Sequence, residues 1–254
     1  MNDGRRPLEG IRVLDLASIV AGPFCGALMA EFGAEVIKTE LPGKGDDLRR
    51  LGPSEQDCPY WWTVENRNKK AMARVTAFGQ TGPRRHDPGF AAIGSAFGGT
   101  WYLNGFADQP PARPTPVYPD YLTGLFTAFG VLTALRHRDA TGEGQWIDAS
   151  LYESAFRILE YTVPLYGRQG VVRERGGLQH VAWPGGACQT QDGRWVVFTA
   201  PAQHLFERLC TMIGQPDLPH DPRFTAAAER TAHMPEVTEL IEAWFAAHTF
   251  GAYV

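Results

Sequence analysis

The sequence predicts an α/β fold, with a larger domain built on a parallel sheet and the start of a smaller α+β domain. Three observations carry this. Strand, helix and strand patterns follow one another near the N-terminus, between Ile11 and Thr39. A long apolar run, Tyr121 to Arg138, is followed by another strand-then-helix pattern, Trp146 to Leu159. Beyond a glycine-rich stretch, a hairpin pattern is followed by two amphipathic segments.

The elements read in order as follows. Ile11 to Leu16 is a short buried strand. Pro23 to Phe32 is a helix, stopped by Gly33, and Glu35 to Thr39 is a second strand. Such a βαβ unit is right-handed and parallel. Its first turn, Val20 to Gly26, lacks GxGxxG. Glu40 stands where a ribose-binding acid would stand in a nicotinamide enzyme, but the phosphate-binding half of that signature is missing.

From Ser18 to Pro116 the chain is rich in glycine, proline and aromatics. Trp61-Trp62 and Trp101-Tyr102 read as core or subunit-contact residues. The 121–138 run is long enough for a helix, although Gly124 and Gly130 weaken it. Arg173 to Gly186 has linker composition. Thr190 to Thr199 reads as a hairpin turning at Gln191-Asp192-Gly193. His204 to Ile213 and Pro235 to His248 have helical periodicity. The domain reading is 1–170 for the large domain, 171–189 for a linker and 190–254 for the first part of the small domain.

Bulk properties exclude several classes. A chain of 254 residues buries one large or two smaller domains. A net charge of -4 and a pI near 6.0 argue against nucleic acid as the main partner. The basic pairs Arg49-Arg50, Lys69-Lys70 and Arg84-Arg85 are scattered and read as solvated. Cys25, Cys58, Cys188 and Cys210 show no CxxC spacing, so neither a disulfide framework nor a zinc site is expected, and a reducing cytoplasm fits. The start, MNDGRRPLEG, has no signal-peptide apolar stretch, and no uncharged apolar run reaches membrane-spanning length.

The familiar catalytic signatures are missing. Gly94-Ser95-Ala96-Phe97-Gly98 brings its serine one residue too early for GxSxG. There is no HExxH and no P-loop, and the seven histidines are dispersed without metal-ligand spacing. What remains is Asp120 and a set of glycine-rich turns. Asp120 stands between the proline-rich stretch Gln109 to Pro119 and the apolar run that begins at Tyr121. On that pattern alone its role is helix capping, since Asp accepts from the first free N–H groups of a helix. A helix start also favours the ionised carboxylate.

Wider text around Asp120 adds a second reading. Leu8-Glu9-Gly10-Ile11-Arg12-Val13-Leu14-Asp15-Leu16, Ala21-Gly22-Pro23, Phe32-Gly33-Ala34-Glu35-Val36-Ile37-Lys38 and Pro42-Gly43-Lys44-Gly45-Asp46 come first. Phe78-Gly79-Gln80-Thr81-Gly82-Pro83, Pro88-Gly89-Phe90, Asp120-Tyr121-Leu122-Thr123-Gly124 and Thr141-Gly142-Glu143-Gly144-Gln145 follow. Together and in this order they resemble the class III CoA-transferases, the CaiB/BaiF type that includes formyl-CoA, carnitine and bile-acid CoA-transferases.

The resemblance implies a Rossmann-like large domain that holds CoA, with Asp120 as catalytic nucleophile. It implies transfer of CoA from an acyl-CoA donor to a carboxylic acid acceptor through an aspartyl anhydride and an aspartyl-CoA thioester. CoA would be lined by Val20 and Ala21, by Leu41, and by Val75, Thr76, Ala77 and Phe78. Gly185 and Gly186, in Pro184-Gly185-Gly186, lie where the family has a glycine-rich loop near the active site; an ordinary turn explains them equally well. CoA and acyl-CoA are substrates, with no metal and no permanently bound cofactor. An interlocked homodimer in the cytoplasm is implied, without membrane or nucleic-acid partners.

This chain departs from the family pattern in several places. Val20 replaces a glutamine found in several members, and Leu41 replaces an arginine found in some. The α-methylacyl-CoA racemase relatives, the alternative reading on the same fold, carry a histidine where this chain has Phe90. After Asn66 to Lys70 the text passes directly to Ala71 to Val75, the strand before Phe78-Gly79, so a few dozen residues are missing. The chain also stops at Val254, short of a complete member. A non-catalytic remnant of the fold, or a subunit completed by another chain, is the remaining alternative.

Overall fold

The structure, a computed structural model, describes residues 6–40, 42–55, 58–65, 74–177 and 183–252. The chain gathers into two compact units, Met1–Tyr102 with Arg113–Arg173, and Leu103–Ala112 with Glu174–Val254.

The first unit opens with β1 (Arg12–Asp15), α1 (Ala21–Glu31) and β2 (Glu35–Lys38). The strands are parallel, with Val13 opposite Val36 and Asp15 opposite Lys38. This is the βαβ unit that the apolar pattern predicts. Gly33, at φ 102°, makes the turn between α1 and β2 where a side chain would be strained. Two short strands, β3 (Ser54–Glu55) and β4 (Cys58–Pro59), pair antiparallel and lead into α2 (Tyr60–Glu65). Next come β5 (Arg74–Thr76), α3 (Ala91–Phe97), α4 (Tyr118–Thr141), β6 (Asp148–Ser150), α5 (Leu151–Arg157) and α6 (Thr162–Gln169). β5 and β6 are parallel. The parallel pairing among the described residues is therefore two two-stranded pairs.

α4 is longer than the apolar run alone suggests. It takes in Tyr118 and Pro119, since proline is tolerated in a first helical turn, where its missing N–H has no partner to lose. It ends at Gly142, whose left-handed backbone (φ 79°) sends its N–H to the Arg138 carbonyl at 2.7 Å. Gly94 on α3 and Gly98 just after it, read in sequence as a failed serine motif, are contact points. A Cβ at Gly94 would stand 2.7 Å from the Leu151 Cβ, and one at Gly98 would stand 2.7 Å from the Ala155 Cβ. Their absence of side chains lets α3 lie on α5.

The second unit is a hairpin covered by helices. β7 (Gly185–Gln189) and β8 (Trp195–Thr199) are antiparallel, followed by α7 (Gln203–Met212), α8 (Ala227–Ala232) and α9 (Met234–Ala247). Phe206, Phe224, Val237, Ile241 and Phe245 are almost fully buried around them. Two features differ from the sequence reading. β7 begins inside the stretch with linker composition, because pairing with β8 recruits Gly185 and Gly186 despite their poor strand propensity. Residues 103–112 also join this unit: the Gly177 N–H donates to the Gly105 carbonyl at 3.0 Å, and Arg175 Nε donates to the Phe106 carbonyl at 2.9 Å. No helix among the described residues is long and apolar enough to cross a membrane.

Candidate active site

Asp120 lies in the first turn of α4 but is not its cap. Val117 occupies the cap position and offers no side-chain acceptor. The Asp120 Oδ2 is buried and has no hydrogen-bond partner among the described residues. The sequence expectation that a helix start holds this carboxylate ionised is corrected here. Burial dominates and pushes its pKa up from 3.8 to about 6, with a hydrogen bond from its own backbone N–H opposing the rise. At neutral pH such a group is still mainly ionised, but it is poorly solvated.

The residues after Asp120 explain how it is aimed. Positions four apart on a helix share a face, so Asp120 and Gly124 point the same way. A Cβ at Gly124 would sit 2.7 Å from the Ala21 carbonyl oxygen and 2.8 Å from the Phe24 ring. Only glycine lets α4 approach the start of α1 this closely. Thr123 is fully buried, and its hydroxyl donates to the Pro119 carbonyl at 2.6 Å, one turn back. Tyr121 is anchored by Trp61, whose Nε1 donates to its hydroxyl at 3.1 Å, and by Glu65, which accepts from it at 3.0 Å. The Phe24 ring meets Tyr121 edge-on. The Asp-x-x-Thr-Gly element is thus a packing device that fixes the helix turn carrying the carboxylate.

Asp120 lines a cavity of about 860 Å³, within the usual range for small-molecule sites. The loop after β1, Leu16 to Ile19, and the first residues of α1, Ala21 and Gly22, form part of its lining. Val75 and Thr76 of β5, Ala77 after it, Gly89 and Phe90 before α3, and the segment Gln145 to Ile147 supply most of the rest. Asp120 is the one ionisable side chain in this lining among the described residues.

The structure therefore places Ala21, Val75, Thr76 and Ala77 in the lining of the same cavity as Asp120. Other expected lining residues fall elsewhere. Val20 is buried as the residue preceding α1, and Phe78 packs edge-on against Phe97 beside Tyr152, so neither side chain lines the cavity. Each lies in a segment that touches the cavity but turns its own side chain into the core. Leu41 lies outside the described residues. Gly185 and Gly186 are the first two residues of β7 in the second unit, opposite Thr199 and Phe198, so they form neither a loop nor a turn.

Glu40, where a ribose-binding acid was considered, is engaged in a bidentate pair with Arg49 at 2.6 Å, which holds its pKa down to about 2. Phe90 lines the cavity at the position where racemase relatives carry a histidine. Gln145 and Trp146 were missed by the sequence reading. The one pointer in the sequence was the family segment Thr141 to Gln145, which ends at Gln145 and directly precedes Trp146.

The model of CoA-transferase family III matches residues 8–73 and 71–254. The succinyl-CoA–L-malate CoA-transferase beta subunit of Chloroflexus aurantiacus is 39% identical, over 94% of this chain and 72% of its own length. The succinyl-CoA–D-citramalate CoA-transferase of the same organism is 38% identical, over 94% of this chain and 73% of its own length. Succinyl-CoA:glutarate CoA-transferase of Mus musculus is 30% identical, over 96% and 68%. A CAIB/BAIF family protein from Brucella suis superposes with a TM-score of 0.78 at 25% identity, covering 98% of this chain and 80% of that one. The alignment to the first relative runs over 293 positions, more than the 254 residues of this chain, so that relative carries residues absent here. The family match breaks at residues 71–73, where the sequence reading finds its gap. The chain is an α/β protein that belongs to CoA-transferase family III.

Proposed function

We propose that this chain moves CoA from an acyl-CoA to a free carboxylic acid by way of a covalent relay on Asp120. One observation carries the reading: Asp120 Oδ2 is buried without a hydrogen-bond partner while its side chain lines the cavity. A carboxylate with one oxygen left without a hydrogen bond is a stronger nucleophile than a hydrated one, and water kept from it cannot hydrolyse the intermediate.

The steps balance without net proton transfer. The Asp120 carboxylate attacks the thioester carbonyl, the C–S bond breaks, and CoA thiolate leaves behind a mixed anhydride. The thiolate attacks the aspartyl carbonyl of that anhydride. The donor acid leaves as its carboxylate, and Asp120 holds CoA as a thioester. The acceptor carboxylate attacks this thioester and releases CoA thiolate again. The thiolate then attacks the acceptor's acyl carbonyl, and Asp120 returns to its carboxylate. Tetrahedral oxyanions along this path need hydrogen-bond donors close to the reacting carbonyl.

Relatives named for succinyl-CoA make it the donor to assay first, with small dicarboxylic acids such as malate and glutarate as acceptors. The working form we propose is a homodimer. Phe129, Tyr166 and Phe156 stand half-exposed or more on the single chain, and a partner would cover them. A reducing cytoplasm suits a chain whose four cysteines show no CxxC spacing.

The test is to trap the relay. Incubation with succinyl-CoA followed by hydroxylamine should leave a hydroxamate on the peptide containing Asp120, read by mass spectrometry. Modification at another carboxylate, or full turnover by Asp120→Ala, would overturn the assignment.

A further inference from the structure

The loop from Leu16 to Ile19 lines the cavity at every residue, yet it has no regular secondary structure of its own. Its shape is also costly. Ile19 sits at φ 70°, a left-handed backbone that a β-branched side chain strongly disfavours. A strained conformation persists only where surrounding groups enforce it.

Those groups converge on Lys38, the last residue of β2. Its Nζ donates to the Ala17 carbonyl at 2.7 Å and pairs with Asp46 Oδ2 at 2.8 Å and Asp15 Oδ2 at 3.6 Å. All three side chains are buried. Asp46 uses its other oxygen to accept from the Ile19 N–H at 3.0 Å and the Leu48 N–H at 2.9 Å. Asp15 Oδ1 accepts from the Ala17 N–H at 2.9 Å. Asp46 is itself fixed, because its own N–H donates to Glu40 Oε2 at 2.9 Å and Glu40 is clamped by Arg49. Ala17 is thus held at both backbone groups, and the strained Ile19 is held at its N–H.

We propose that the buried Lys38–Asp46 pair is a positioning device for CoA transfer, holding the Leu16–Ile19 loop in the strained shape that receives acyl-CoA. Neither side chain lines the cavity, so neither touches substrate in this account; both act through the loop backbone. The pair joins two segments of the family pattern, one ending at Lys38 and one at Asp46, to the binding wall. This inference rests on the CoA-transferase reading above, and its test separates the two.

In Lys38→Met the loop loses its carbonyl anchor and Asp46 loses its counter-charge. The expected result is a rise of about tenfold in the Kd for CoA and in KM for acyl-CoA, with kcat changed by less than about threefold. Because Lys38→Met leaves buried carboxylates unpaired and can unfold the chain, Asp46→Asn is the second variant. It keeps an oxygen for the Ile19 N–H but weakens the pair with Lys38, and the same KM-weighted loss is expected at about threefold. Adding Ile19→Gly should recover much of the binding in either variant, since glycine adopts φ 70° without strain. A fall in kcat with KM unchanged, or unchanged CoA binding in Asp46→Asn, would overturn the positioning role alone. Failure of the unsubstituted chain to bind CoA would overturn the transferase reading and this inference with it.

Discussion

The two units solve the problem of order in different ways. The second unit encloses large side chains: Phe206, Phe224, Val237, Ile241 and Phe245 are each no more than 2% exposed, around one hairpin and three helices. Burying a side chain of that size contributes about 1.5–3 kcal/mol, so this unit is held by apolar burial. The first unit has cores that mix alanines, such as Ala30, Ala34, Ala128, Ala21 and Ala77, with larger side chains such as Met29, Val36, Phe78 and Leu151. It relies instead on close backbone approach at Gly94, Gly98 and Gly124 and on buried polar groups such as Lys38, Asp46 and Thr123. The difference teaches where chemistry can reside. In the first unit, bracing by glycines and polar anchors keeps a cavity open beside a carboxylate.

The sharpest test of that contrast removes the chemistry and keeps the packing. Asp120→Asn should lower turnover by at least about 10³-fold, because an amide cannot form the anhydride. Its Tm should stay the same or rise. Folding raises this carboxyl's pKa from 3.8 to about 6, so the folded protein holds the proton more tightly than the unfolded chain. That contribution to stability is lost as pH rises through this window, and a neutral amide removes the loss at pH 7. Thermal unfolding and a transferase assay on the same preparation check both halves.

The converse test strikes the second unit. Phe206→Ala should cost about 3–5 kcal/mol, seen as early unfolding of that unit in urea, with no change in the pKa that governs Asp120. Next in size is Gly124→Val. Its side chain would press on the Ala21 carbonyl and the Phe24 ring and push α4 from α1. Activity should fall by about 10²-fold, as a displacement of 1 Å at a reacting group can do, with a stability loss of about 1–3 kcal/mol. If Gly124→Val instead cost stability and left kcat/KM intact, the first unit would be ordered like the second, and the contrast would fail.

The smallest expected effect is the pH profile. In the proposed relay the ionised carboxylate is the nucleophile, and burial pushes its pKa up to about 6, so kcat/KM should rise with pH and level off above about pH 7. Between pH 5 and pH 7 the gain should be about tenfold. A flat profile down to pH 5 would show that Asp120 is better solvated in the working enzyme than burial in this structure indicates.

Much of this was legible before any coordinates. The βαβ unit was readable because Ile11 to Leu16 and Glu35 to Thr39 are short apolar runs on either side of a helix stopped by glycine, and local pattern suffices for local structure. Asp120 was readable through the Asp-x-x-Thr-Gly element and its neighbours. The lining was only half readable. Ala21, Val75, Thr76 and Ala77 do line the cavity, but Val20 and Phe78 beside them face inward, since which side a residue presents depends on the element packed against it. Gly185 and Gly186 looked like a turn because glycine punctuates loops, yet cross-strand pairing with Phe198 and Thr199 made them strand.

Sequence by itself determined the family and the first strand-helix-strand unit, and it singled out the one carboxylate on which the proposed chemistry turns. These are properties of short segments and of motif order, which survive without knowledge of contacts. Only the tertiary structure decided that the threonine and glycine after Asp120 serve packing, that Lys38 and Asp46 brace the cavity loop, and that burial rather than the helix end sets the state of Asp120. Each of these depends on groups distant in the chain meeting out of water, where a hydrogen bond, an ion pair or its absence shifts energies far more than it does in solution.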